Sequence, residues 1–219
     1  MDDTAAAPAA PPAARAPLTP FQALGLALAG GLLVGFTTSF AQGWLPDALS
    51  SMANSGGSWS LAAFLLALLG PRRWVSVVIG ALALAAMVAG YDLASMLRGY
   101  GVAIFYTLFW GTAAVTIGPL LGWGADAVRH RTWWAPVGAG LMSGVLVGEG
   151  ANGLLRLLET TSPVYWSLSV GAGLALLGWA CVRRLRGAGP VLVAVASAAV
   201  MAGIVLGVYA GADALLNPV

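Results

Sequence analysis

The polar chemistry of this chain rests on a few side chains set in a very apolar sequence. Glu149, Asn152 and Arg156 follow i, i+3, i+7 spacing, which places them on one face of a helix. Glu149 lies about two-thirds of the way along an apolar run. An unpaired ionisable group at that depth costs at least about 2–3 kcal/mol, so it must face other helices or water. There it can hydrogen-bond a solute or carry a proton. It can equally be satisfied by Asn152, a serine or water and simply hold helices together. Arg156 is placed to snorkel to the interface.

A second set lies in Gln42-Gly-Trp-Leu-Pro-Asp47 and Asn54-Ser-Gly-Gly-Ser-Trp59. Pro46 blocks continuation of a helix. Asn54 or Ser55 can cap the next helix, whose free N–H groups otherwise suit an anion or a carbonyl. The paired glycines permit close approach of a ligand or another helix. Gln42, Asn54 and Ser58 offer hydrogen bonds, while Trp59 and Trp110 can stack a flat ligand or pack. Asp92, beside Tyr91, is either a solvated helix-end acid or the partner of Glu149 in acid–base chemistry. His130 and Cys181 are the single histidine and cysteine, so no metal-ligand cluster forms. Nucleophile-elbow, phosphate-loop and dinucleotide motifs are lacking, and no cofactor or metal is expected.

Composition fixes what carries these residues. Hydrophobic residues make up 59% of the 219 and charged residues 8%. Soluble domains carry roughly 25% charged residues, so a water-soluble globule is excluded. One cysteine excludes a disulfide scaffold, and a net charge of +2 gives no phosphate-tracking surface. All basic residues are arginine in an Ala- and Gly-rich chain, which reads as codon bias rather than anion recognition.

Residues 1–18 are Ala/Pro-rich and are expected to form a disordered cytoplasmic tail. Ser39-Phe40-Ala41 loosely fits a signal-peptidase site, but the acidic start and the long apolar run argue against cleavage. Residues 19–219 then form one all-α transmembrane domain, a polytopic helix bundle. Seven apolar runs, 20–42, 52–70, 74–96, 101–123, 133–156, 163–182 and 189–212, each approach the ~20 residues needed to span a bilayer. With the N-terminus inside and the C-terminus outside, only Arg98 and Arg156 of the ten arginines lie outside. Trp74, Trp123, Trp133, Trp134 and Trp179 then form an inner aromatic belt. Trp44, Tyr91, Tyr100, Tyr165, Trp166 and Tyr209 form an outer one.

Sorting by depth puts Gln42, Asn54, Ser55, Ser58, Asp92, Glu149, Asn152, Arg156, Glu159 and Asp213 in the outer half. The inner half holds little beyond loop arginines, Asp126 and His130. That asymmetry suits an outward-facing polar cavity. Small residues recur every four positions at Gly140/Gly144/Gly148, at Ala199/Gly203/Gly207/Gly211 and at Ala114/Gly118/Gly122. Such ridges let helices approach closely. The ridge Ala23/Ala27/Gly31 on the first run is the best placed to meet a partner membrane subunit. Pro119 can kink the fourth run.

The string Thr38-Ser39-Phe40-x-Gln42-Gly43-x-Leu45-Pro46, then Ala53-Asn54-Ser55-Gly56 with Trp59, resembles an uncharacterised family of actinobacterial multi-pass membrane proteins. The likeness implies no activity but adds weight to Gln42 and Asn54. The layout is also similar to the S components of energy-coupling-factor vitamin transporters. Ala23-x-x-x-Ala27 and Leu68-Leu69-Gly70-Pro71-Arg72-Arg73 carry that similarity. It implies a solute site toward the outside and docking of an energising partner through the first helix. The seventh run departs from the S-component layout. The expectation is a protein of the bacterial cytoplasmic membrane that binds or transports a small solute through Gln42, Asn54, Ser58, Trp59, Asp92, Trp110, Glu149 and Asn152. The alternatives are a membrane-embedded enzyme acting on a lipid-linked substrate and a non-catalytic accessory subunit.

Overall fold

The computed structural model describes residues 18–216, with side chains to Gly211. The expected tail, Arg15 and the side chain of Asp213 lie outside the described residues. The described chain is helical throughout, with no strand. In chain order the helices are α1 (Pro20–Trp44), α2 (Asp47–Ser50), α3 (Gly56–Ala67), α4 (Arg73–Leu97), α5 (Ile104–His130), α6 (Ala135–Arg156), α7 (Pro163–Arg183) and α8 (Ala188–Leu216). A single 3-10 turn, Ser51–Asn54, joins α2 to α3. The chain is an apolar, helical membrane protein: α1, α4, α5, α7 and α8 are each long and apolar enough to cross a bilayer.

The remaining two apolar runs behave differently. Helix α6 has 22 residues, but its glycines dilute its apolar character. Helix α3 has only 12 residues. At 1.5 Å per residue it rises about 18 Å, short of a ~30 Å hydrocarbon core. The expected run 52–70 is therefore broken near its start. Pro46 caps α2, and Ser55 takes an extended backbone before α3 begins. Ser55, rather than Asn54, is the cap: its Oγ accepts the Ser58 N–H at 3.0 Å.

Capping explains other boundaries. Thr19 and Gln22 form a reciprocal capping box at α1, with Pro20 in its first turn. Ser162 caps α7 ahead of Pro163. Helix α5 runs unbroken through Pro119 and beyond the expected end at 123, stopping where Arg131 turns left-handed at φ 52°. Asp126 thereby sits in a helix rather than a loop. It is buried and meets Arg73 at 3.3 Å and His130 at 2.9 Å. Arg129 donates to the carbonyls of Leu68 and Gly70, capping the end of α3.

Glycine governs the packing. Helices α1 and α4 run parallel, with Gly31 against Ala83 and Ala86, Gly35 against Met87, and Gly90 against Leu32. Helices α4 and α5 cross antiparallel where Gly80 meets Gly118 and Gly122. Gly124 of α5 meets Gly138 of α6. Helices α6 and α8 are parallel: Gly140, Gly144 and Gly148 lie on Ala194, Ala198 and Ala202. Helix α7 returns antiparallel along α6, with Gly173 near Ser143 and Gly150 near Trp166. At each contact a Cβ would strike a neighbouring helix, usually its backbone. The short α3 contacts α1, α4, α5 and α6, between the α1–α4–α5 layer and the α6–α7–α8 layer.

Two small-residue ridges differ in how they are used. Ala23 and Ala27 are fully buried and Gly31 is packed on α4, so that ridge serves contacts within the chain. On α8 the packed small residues are Ala194, Ala198 and Ala202, whereas Ala199, Gly203, Gly207 and Gly211 are exposed. The outer belt also divides. Trp44 is exposed, but Tyr165 and Trp166 are buried. Gly153 leaves room for the Trp166 indole, whose Nε1 donates to Thr161 Oγ1 at 2.9 Å.

The contrast between packed and open glycines is testable. Gly80→Val puts a branched side chain into the α4–α5 crossing, where overpacking costs about 1–3 kcal/mol or more. It should lower the melting temperature in detergent by roughly 5 °C. Gly203→Val, on an open helix face, should leave it nearly unchanged.

Candidate functional site

A cavity of about 730 Å³ opens at the end of the bundle that holds the C-termini of α1 and α4 and the N-termini of α3 and α5. Five of the expected site residues line it: Gln42, Asn54, Trp59, Asp92 and Trp110. The kink before α3 creates this wall. Because Ser51–Ser55 is not α-helical, Asn54 reaches back to the end of α1. Gln42 Nε2 donates to Asn54 Oδ1 at 2.6 Å, and Tyr91 OH donates to Gln42 Oε1 at 3.2 Å. One amide bridge thus connects α1, the 3-10 turn and α4.

The opposite wall is aromatic. The Trp59 ring lies 6.2 Å from Tyr91 and 5.9 Å from Trp110, in edge-on and tilted arrangements. Phe109 meets Trp110 edge-on at 5.1 Å. These contacts fix the indole planes without a stacked pair, leaving ring faces for another flat group. Asp92 Oδ2 accepts from Thr107 Oγ1 at 2.9 Å, which ties the carboxylate to α5.

Arg98, which the sequence marks only as an outer arginine, is part of the cavity lining. It donates from Nη1 to the Ser39 carbonyl and to Ser39 Oγ, and lies over the rings of Phe40 and Tyr100. The available signal was its breach of the positive-inside pattern, just before Tyr100. Tyr91, expected in the outer aromatic belt, and Tyr106 also line the cavity.

Ser58, Glu149 and Asn152 do not line the cavity. Ser58 Oγ donates to the carbonyls of Met52 and Ser55, so it stabilises the turn into α3. Asn152 is buried, and its Oδ1 has no hydrogen-bond partner among the described residues. Glu149 sits behind the cavity wall, 3% exposed, where nearly all of its charge must be met by protein. Its Oε2 accepts from Ser55 Oγ at 2.6 Å and from the Gly57 N–H at 2.9 Å. Its Oε1 accepts from Tyr209 OH at 2.9 Å. Of the partners expected from the sequence, a serine is found, Ser55, whereas Asn152 is not among them; Gly57 and Tyr209 complete the set.

The proton directions around Ser55 follow from this geometry. The Ser55 hydroxyl donates its one proton to Glu149 Oε2. Ser55 Oγ then accepts from Ser58 N–H and from Tyr165 OH, which exhausts its capacity. Glu149 also lies at the N-terminus of α3, where free N–H groups favour negative charge. Gly57 must lack a side chain because a Cβ there would collide with the carboxylate. Gly56 separates Glu149 from the Trp110 ring. Among the described residues, Ser55 alone both lines the cavity and bonds Glu149.

Removing this carboxylate strands three donors in a buried space. Glu149→Ala should cost several kcal/mol, about 1–3 kcal/mol for each buried donor left unpaired. Thermal unfolding in detergent should show a large drop in melting temperature. Asp92→Asn, in the open cavity, should change stability by less than about 0.5 kcal/mol.

No curated protein and no solved structure matches this chain. A family model, described as a family of unknown function (DUF6518), matches residues 14–215. That match takes in the 3-10 turn, both cavity walls and the Glu149 cluster, so the chain belongs to the DUF6518 family.

Proposed function

We propose that this protein crosses the bacterial cytoplasmic membrane seven times, N-terminus inside and C-terminus outside, and binds a small solute in the outward-facing cavity. The observation that carries this reading is the convergence of Gln42, Asn54, Trp59, Asp92 and Trp110, from five separate segments of the chain, on one cavity. Such a site joins fixed polar groups to aromatic walls, the usual composition of a small-molecule pocket. The broken element before α3 supports a transport-like reading. Irregular backbone at membrane depth is tolerated where it lines a cavity, and interrupted helices mark solute sites in transporters. Glu149 then acts as a positioning residue: it holds Ser55 and the start of α3 in place behind the wall.

The same geometry disfavours the lipid-linked enzyme. Glu149 has both oxygens occupied behind the wall, whereas Asp92 faces the cavity and is held by Thr107. The two carboxylates share no hydrogen-bond partner, as a coupled acid–base pair would.

The seven-span topology is supported by the alternation of parallel and antiparallel neighbours. It requires α3, with its flanking turn, and the Gly-rich α6 to cross with α1, α4, α5, α7 and α8. Single cysteines introduced at Asp47 and Thr160 in a Cys181→Ser background should react with a membrane-impermeant maleimide in intact cells. Cysteines at Arg72 and Arg131 should react only after lysis. Labelling of Arg72→Cys in intact cells would overturn the orientation.

Solute binding is tested by thermal shift of the purified protein against a library of small polar and aromatic compounds. A true ligand at 100 times its Kd should stabilise by about 2.7 kcal/mol. The Trp59→Ala/Trp110→Ala variant should lose that shift. An equal shift in both proteins would place binding elsewhere.

A further inference from the structure

We infer that the cavity is built for an amphoteric solute, with an anionic group held by Arg98 and a protonated amine held by Asp92 across an aromatic body. This inference rests on the solute-binding reading and narrows its ligand class.

Arg98 is anchored but not exhausted. Both hydrogens of Nη1 go to Ser39, one to its carbonyl and one to its Oγ at 3.0 Å. The guanidinium plane is steadied by Phe40 and Tyr100, with ring centroids 5.1 and 5.0 Å away. Nε and Nη2 have no partner among the described residues. They form one edge of the guanidinium, the edge that receives a carboxylate through two parallel hydrogen bonds.

Asp92 is likewise half-occupied. Thr107 takes Oδ2, and Oδ1 has no partner among the described residues. The two opposite charges line one cavity, yet they do not pair; the described ion pairs all involve Asp126. Mutual pairing would be their simplest neutralisation. Instead, Arg98 is tied to α1 and Asp92 to α5. Asp92 lies on α4 and Arg98 caps its C-terminus six residues on, so their backbones differ by about 9 Å in height. A solute bearing only an anion would meet the Asp92 charge, and one bearing only a cation would meet Arg98. Specificity against both follows from those repulsions. The ring faces of Trp59 and Trp110 lie in the same cavity and suit a flat body between the charged ends.

The test uses the purified full chain and calorimetric binding of defined probes. Phenylalanine and 4-(aminomethyl)benzoate carry both charges, at short and long separation. N-acetylphenylalanine and 4-methylbenzoate keep only the anion; phenylalaninamide and benzylamine keep only the cation. At least one amphoteric probe should bind roughly tenfold or more tightly than its two single-charge analogues, as the loss of a charge-assisted hydrogen bond requires. Asp92→Asn should abolish the preference over the anion-only analogue. Arg98→Lys keeps a cation but loses the two-donor edge, and should weaken probes bearing the carboxylate while sparing those with only an amine. Equal binding of single-charge and amphoteric probes would overturn the charge assignment and leave solute binding in the cavity intact. An undiminished amphoteric preference in Asp92→Asn, or no binding by any probe, would overturn it as well.

Discussion

The architecture depends on one buried carboxylate placed at the start of a short helix. Helix α3 is too short to behave as an ordinary span, and its first turn would otherwise present bare N–H groups within the bundle. Glu149 supplies the acceptor that this helix end needs and accepts from Gly57 directly. Through Ser55 it reaches Tyr165 of α7, and through its other oxygen Tyr209 of α8. Four helices therefore converge on one carboxyl group. Its three donors meet the demand that buried polar groups be hydrogen-bonded.

That arrangement separates two roles within one polar region. The carboxylate is consumed by structure, while the surface that its partner Ser55 presents on the other side belongs to the cavity. Gly56 and Gly57 make the wall thin enough for this. A side chain at Gly57 would displace the carboxylate, and one at Gly56 would press on Trp110. The cavity is consequently rigid on the α3 side, where hydrogen bonds fix it. On the α1–α4 side it is held by the Gln42–Asn54 bridge and by Arg98 on Ser39.

Away from the cavity, cohesion comes from close helix approach rather than from large apolar side chains. Hydrophobic burial gives no drive for helix association in lipid, so contact area and van der Waals packing must do it. Gly31 and Gly35 of α1, Gly80 and Gly90 of α4, Gly118, Gly122 and Gly124 of α5 and Gly138, Gly140, Gly144 and Gly148 of α6 lie at the crossings, and most places where a Cβ would clash there are against backbone. The bulky residues point the other way: Leu33, Val115, Leu192 and Val200 are among the strongly exposed apolar side chains. A bilayer-facing surface of this kind and a small-residue interior are two sides of the same requirement.

Composition and periodicity alone determined the membrane class, the helical fold and the end of the molecule at which polar groups gather. These are properties of solvent and span length, and they need no knowledge of which helix touches which. The pairing of Gln42 with Asn54 was half-legible, because a proline, two glycines and capping residues announce a break between helices. The tertiary structure alone decided which polar residues share a space. It moved Glu149, Asn152 and Ser58 off the cavity wall, brought Arg98 onto it, and turned the Ala23/Ala27/Gly31 ridge inward. Helical spacing gives the face on which a side chain lies but not the neighbour that face meets. That neighbour is set by interhelical packing, where a single glycine determines how near two backbones come and which side chains are enclosed between them.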